Sequence, residues 1–144
     1  MLAFNPRMCA VVIAPVLAVS GVLLITPAAQ ASSPAIVISE VYGGGGNTGA
    51  IWTNDFVELY NRSEAAVDVS GWVVQYYSAG GGAGGTATLT GSVAPRHTYL
   101  VQMGKGTGGT LALPTPDATG TATMSATSGR VDLSSSGTVV DQVG

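Results

Sequence analysis

Thiols are nearly absent from this chain: Cys9 is the only cysteine in 144 residues, so no internal disulfide can form. His97 is the only histidine, and a zinc site built on imidazoles or thiolates is excluded by these two counts. Charge is scarce as well, at 9% of the residues. Beyond residue 31 the bases are Arg62, Arg96, Lys105 and Arg130, and all eight acidic residues of the chain lie there too. That balance provides no electrostatic footprint for phosphate backbones, so this segment is not expected to bind nucleic acid or anionic lipid.

Hydrolytic chemistry has little to draw on. A nucleophile needs a positioned base, and His97 follows Pro95-Arg96 in a turn, with no nucleophile-elbow pattern anywhere in the chain. No catalytic residue, cofactor-binding residue or metal ligand is assigned. The carboxylates of Glu40, Asp55, Glu58 and Asp68 lie on or beside three strands that can be neighbours, and oxygen ligands of this kind hold calcium. No spaced EF-hand loop accompanies them, and solvated strand faces and turn caps explain the same residues.

What is present begins with an export pattern. Arg7 precedes an uncharged apolar run over residues 8–25, and Ala29-Gln30-Ala31 has the small-x-small form of a cleavage site. Residues 1–31 are read as a secretory signal removed after Ala31, leaving 32–144 as the domain and no transmembrane segment. An uncleaved anchor is the competing reading, opposed by Pro15 and the cleavage pattern. Cys9 falls in the part removed, and without disulfides the domain must be held by burial and backbone hydrogen bonds.

The domain is rich in Gly, Thr, Ser, Ala and Val, a mixture that suits short strands and tight turns and supports helices poorly. It is organised around residues 54–72. Residues 56–60 alternate with period two, which places Val57 and Leu59 in the core and Phe56, Glu58 and Tyr60 on the opposite face. Asn61-Arg62-Ser63 supplies turn chemistry, Asp68 or Ser70 caps a corner, and Gly71 is expected where the backbone approaches a neighbour. Trp72 is the expected central core anchor. Further strands are expected at residues 36–42, 73–77, 87–93, 99–102, 129–133 and 138–143, with a short one at 122–124. Glycine-rich loops fill residues 43–49 and 78–86, and a long surface loop runs over 105–128. Residues 44–49 match G-x-G-x-x-G, but no helix N-terminus follows to receive a pyrophosphate, so an open loop is expected. The sum is an antiparallel β-sandwich of about seven short strands.

The run Ile36-Val37-Ile38-Ser39-Glu40-Val41, then Asp55-Phe56-Val57-Glu58-Leu59-Tyr60-Asn61 and Val67-Asp68-Val69-Ser70-Gly71-Trp72, resembles the lamin tail domain in its secreted bacterial form. Pro114-Thr115-Pro116-Asp117 and Ser125-Ala126-Thr127-Ser128-Gly129 carry the same likeness, which covers the whole segment after the signal. The resemblance implies an all-β, immunoglobulin-like sandwich without catalytic residues, secreted or attached at the cell envelope. Its implied partner is an envelope component or an extracellular hydrolase domain. It also implies further sequence after the strand matched by residues 139–144, so the chain reads as a truncated or minimal version, and a missing edge strand would favour association.

Three functions follow as expectations: a non-catalytic binding or tethering module at the envelope, an accessory domain of a secreted nuclease or phosphoesterase, and a carbohydrate-binding module using Trp52, Tyr76 and Tyr77 as stacking rings. The activity is expected to lie in the glycine loops and exposed faces around residues 54–72.

Overall fold

β-Branched segments separated by glycine turns become ten strands: β1 (Ile36–Tyr42), β2 (Asn54–Asn61), β3 (Val67–Asp68), β4 (Val73–Tyr77), β5 (Ala83–Thr88), β6 (Ser92–Val93), β7 (Thr98–Lys105), β8 (Ala118–Thr119), β9 (Arg130–Ser135) and β10 (Thr138–Val143). They are seen in a computed structural model that describes residues 34–144. The expected signal, residues 1–31, lies outside the described residues. Three of the ten are two-residue strands, which accounts for the difference from the seven expected.

Two four-stranded sheets form, ordered β1-β2-β7-β8 and β10-β9-β4-β5, with β3-β6 as a small ribbon. All pairings are antiparallel except β7 with β8. The sheets face each other over one buried cluster to which both contribute: Val57, Leu59, Val101 and Met103 from the first, Val74, Tyr76, Val131 and Leu133 from the second. Strand alternation is the cause, since alternate side chains of the central strands point inward and most of these are apolar.

Both open sides of the sandwich are stitched. On one side a bulge in β1 meets a bulge in β10, and the Ile38 N–H donates to Asp141 Oδ2 at 2.7 Å. On the other, the Gly120 N–H donates to the Gln102 carbonyl and the Thr121 N–H to the Thr86 carbonyl, so the chain after β8 bridges β7 and β5. These bonds occupy individual backbone groups at Ile38, Gln102 and Thr86. The β9–β10 hairpin turns through Ser136 and Gly137, both at positive φ (49° and 79°), the pairing that matches strand twist in a two-residue turn.

Several expectations are corrected. Residues 83–86 are strand and not loop: a Cβ on Gly85 would lie 2.4 Å from the Ala122 nitrogen, so glycine is there to admit the bridging chain. Residues 122–124 form no strand, although Ala122 and Met124 are buried, and the short strand lies earlier, at β8. The 43–49 loop is packed, with Gly45 and Gly46 buried and a Cβ on Gly45 falling 1.9 Å from the Asn54 carbonyl carbon. Gly71 meets no neighbour, and its φ of 78° is what calls for glycine. Trp72 is only half-buried and packs against the core from its margin, because Val69 and Leu89 fill the interior there.

Val57 and Leu59 are fully buried, as their alternation implies. Leu59→Ala is expected to lower unfolding free energy by about 2 to 5 kcal/mol. Trp72→Ala should lose less than the roughly 3 to 5 kcal/mol of a fully buried ring, and urea denaturation of the two variants checks the order. Gly45→Ala is expected to destabilise by at least about 1 to 3 kcal/mol through overpacking, read from the same curves.

Candidate binding groove

Asp55 stands at the start of β2 with its side chain buried, and both oxygens are taken by backbone donors. The Gly45 N–H donates to Oδ1 at 2.8 Å and the Met124 N–H to Oδ2 at 2.7 Å. Burial pushes its carboxyl above the ordinary 3.8, against the two N–H bonds, which pull it down. Asp68 is exposed on β3 and receives the Ser70 N–H at 2.9 Å, a turn-capping bond that holds its pKa below the usual value. Glu40 and Glu58 are opposed residues of β1 and β2. The four carboxylates considered for calcium are therefore divided among three settings. Among the described residues, no group of three or more His, Cys, Asp or Glu is placed to hold a metal ion.

The other candidates scatter similarly. His97 is exposed in its turn, its Nδ1 2.8 Å from the Pro95 carbonyl. Tyr76 is core, accepting the Ser125 N–H and donating to the Ser128 carbonyl through its hydroxyl. Tyr77 is half-buried beneath Arg130, whose guanidinium carbon lies 4.3 Å from the ring centre. Neither tyrosine is an open stacking platform. Asn61 is fully buried, its amide donating to the Ala65, Val93 and Ala94 carbonyls while its Oδ1 accepts from the Ser63 N–H and hydroxyl. Asn61 and Ser63 thus form the turn device expected of this stretch.

One surface does bring chemistry together. The outward side of β1, β2 and β7 carries two successive cross-strand rows, Tyr42-Phe56-Gln102 and Glu40-Glu58-Leu100. Tyr42 and Phe56 stack at 5.2 Å between ring centres, 14° from parallel. Residues 113–117 form a wall beside this face, and Trp52 lines it as well, leaving an open groove of about 380 Å³.

The wall is tied at both ends. At one, Trp52 bridges to Leu111, and the Thr53 N–H donates to the Leu111 carbonyl. At the other, Asp117 donates its N–H to the Leu100 carbonyl, and its Oδ2 accepts from the Leu100 N–H at 2.7 Å. Pro114 and Pro116 stiffen what lies between. The groove is thus preformed over the buried Phe56, with apolar surface from Trp52, Leu100 and Leu113 and carboxylates from Glu40, Glu58 and Asp117. A second cavity of about 460 Å³ lies at the 124–130 loop, where much of the lining is Gly, Ser, Ala and Thr. It gathers fewer functional groups.

A family model described as the lamin tail domain matches residues 29–144. The chain belongs to the lamin tail domain family. No curated protein matches it closely enough to count as a relative. The lamin tail domain is immunoglobulin-like, typically a non-catalytic binding module, and the all-β sandwich described above is that fold. The groove escaped local motif reading because four separate parts of the chain build it. Its only advance signals were Trp52 as a candidate ring and Glu40 and Glu58 as candidate oxygen ligands.

Asp55→Asn places an NH₂ against one of the two N–H donors and is expected to destabilise by about 1 to 3 kcal/mol. The folded-state pKa of Asp55 lies above its unfolded value, so its contribution is full below 3.8 and is lost as pH rises through the folded value. The stability gap between wild type and Asp55→Asn should therefore narrow as pH rises across that window. Denaturant midpoints measured from about pH 3.5 upward would contradict this assignment by a gap that widens.

Proposed function

We propose that this chain is exported as the secreted bacterial form of the lamin tail domain, with residues 1–31 removed as a signal, and that residues 32–144 act as a non-catalytic module tethering at the cell envelope. The observation that carries the reading is the groove: rings and carboxylates converge on a rigid outer sheet face, while the buried carboxylates of Asp55 and Asp132 are consumed by scaffold bonds. Such a site is suited to binding a ligand with complementary charge and an apolar part. The charged-then-apolar pattern before Ala29-Gln30-Ala31 supports export.

An envelope component is the proposed partner. Two measurements test the reading. The intact mass of the protein recovered outside the cell is expected to begin at Ser32, and a mass beginning at Met1 would refute cleavage. The chain from Ser32 onward, which forms one compact unit, is expected to sediment with isolated envelope material. Recovery wholly in the supernatant would sink the tethering role.

A further inference from the structure

The groove contains a charge arrangement that the scaffold does not need. Glu40 and Glu58 are direct cross-strand partners, and like charges so placed destabilise an antiparallel pair. The Ser39 hydroxyl donates to Glu58 Oε1 at 2.8 Å, which holds that carboxylate in position without neutralising it. Asp117 adds a third negative group along the same lining, and no Lys, Arg or His is among the lining residues. Arg96, in the turn before β7, reaches Tyr60 of β2 with its side chain and is already paired with Glu64.

The apolar part of the groove narrows the choice of counter-charge. Trp52, Leu100 and Leu113 present aliphatic and ring surface beside the carboxylates, with the buried Phe56 ring beneath them. A hydrated metal ion would leave that surface unused. A neutral sugar would stack on a ring but would leave the opposed carboxylates without a counter-charge. A quaternary ammonium would suit the rings but has no N–H to donate to the carboxylates. A long aliphatic stem ending in N–H donors uses both halves, its methylenes against the apolar wall and its charged head between Glu40 and Glu58. The volume of about 380 Å³ suits one such side chain with part of its backbone, and not a folded element.

Building on the tethering reading, we infer that the outer-face groove of β1, β2 and β7 docks a basic peptide segment by receiving a lysine or arginine side chain against Trp52, Leu100 and Leu113, with its charged end on Glu40 and Glu58. The ends of the wall at Leu111 and Asp117 are fixed in advance, so binding orders little of the protein itself.

The test is a titration of the chain from Ser32 onward, followed by amide chemical shifts, with blocked glycine pentapeptides carrying one central lysine, arginine, norleucine or glutamate, and in parallel with an oligomer of N-acetylglucosamine. The lysine or arginine peptide is expected to shift residues of the groove, to weaken with added salt, and to bind about tenfold more tightly than the norleucine peptide, the ratio of one charge-assisted contact. Glu40→Gln and Glu58→Gln should each reduce that binding, while Glu40→Gln raises the melting temperature by removing the like-charge pair. The rise in stability separates lost binding from misfolding. Equal binding of the norleucine peptide, no shift by any basic peptide at millimolar concentration, or groove shifts caused only by the sugar oligomer would overturn the inference. Envelope sedimentation without basic-peptide binding sinks this assignment and spares the tethering role. Peptide binding without sedimentation does the reverse.

Discussion

The buried carboxylate of Asp55 ties together three parts of the chain that nothing else joins so directly. It lies on β2, takes the Gly45 N–H from the β1–β2 loop, and takes the Met124 N–H from the chain that crosses between the sheets. The backbones meet so closely there that a Cβ on Gly43 would fall 2.2 Å from the Ser125 carbonyl oxygen. Two amides in such a place have little access to water, and leaving them unpaired would cost more than an ordinary hydrogen bond returns. The carboxylate answers both at once, and its own desolvation is the opposing term visible in its raised pKa.

At the other end of β2, Asn61 does for the 61–65 turn and the 93–94 segment what Asp55 does for the glycine loop. Its amide reaches three carbonyls, and its backbone N–H and carbonyl bond to His97 and Arg96. β2 is thus pinned at both ends by buried polar side chains and paired on both sides, to β1 and to β7. Asn54, also on β2, adds a third buried bond, its amide donating to the Met103 carbonyl at 3.0 Å. Between the pins its side chains divide by parity: Val57 and Leu59 inward, Phe56, Glu58 and Tyr60 outward.

That division was legible in the sequence because inward residues must be apolar, and period-two alternation records it directly. Residues 36–42 and 73–77 were readable instead from β-branched and apolar content, and 138–143 as the second arm of a hairpin. The misread positions share a different cause. Gly84 and Gly85 have poor strand propensity, and only distant neighbours explain why a strand must be bare there: the Tyr76 ring lies against Gly84, and the chain at Thr121 and Ala122 passes over Gly85. Trp72 looked like the anchor because of its size, but its place at the mouth of β4, just after the turn at Gly71, leaves the interior to smaller residues. Asp55 resembled a strand-edge acid or a metal ligand, since its partner Met124 is 69 residues away and no local pattern encodes a bond of that range.

The groove was hidden for a related reason. Glu40 and Glu58 are 18 positions apart in the chain and become neighbours only through the β1–β2 register, which a bulge at residues 38–40 sets. Without that bulge, the one-residue change of parity would carry the side chains on one part of β1 to the other face of the sheet. The bulge also frees the Ile38 N–H to reach Asp141. A single irregularity therefore closes one side of the sandwich and aligns two carboxylates on its surface. Because inner and outer residues of β2 alternate on one rigid strand, the outward set can vary in chemistry while the inward set keeps the fold. That separation is how one immunoglobulin-like scaffold accommodates different ligands without rebuilding its core.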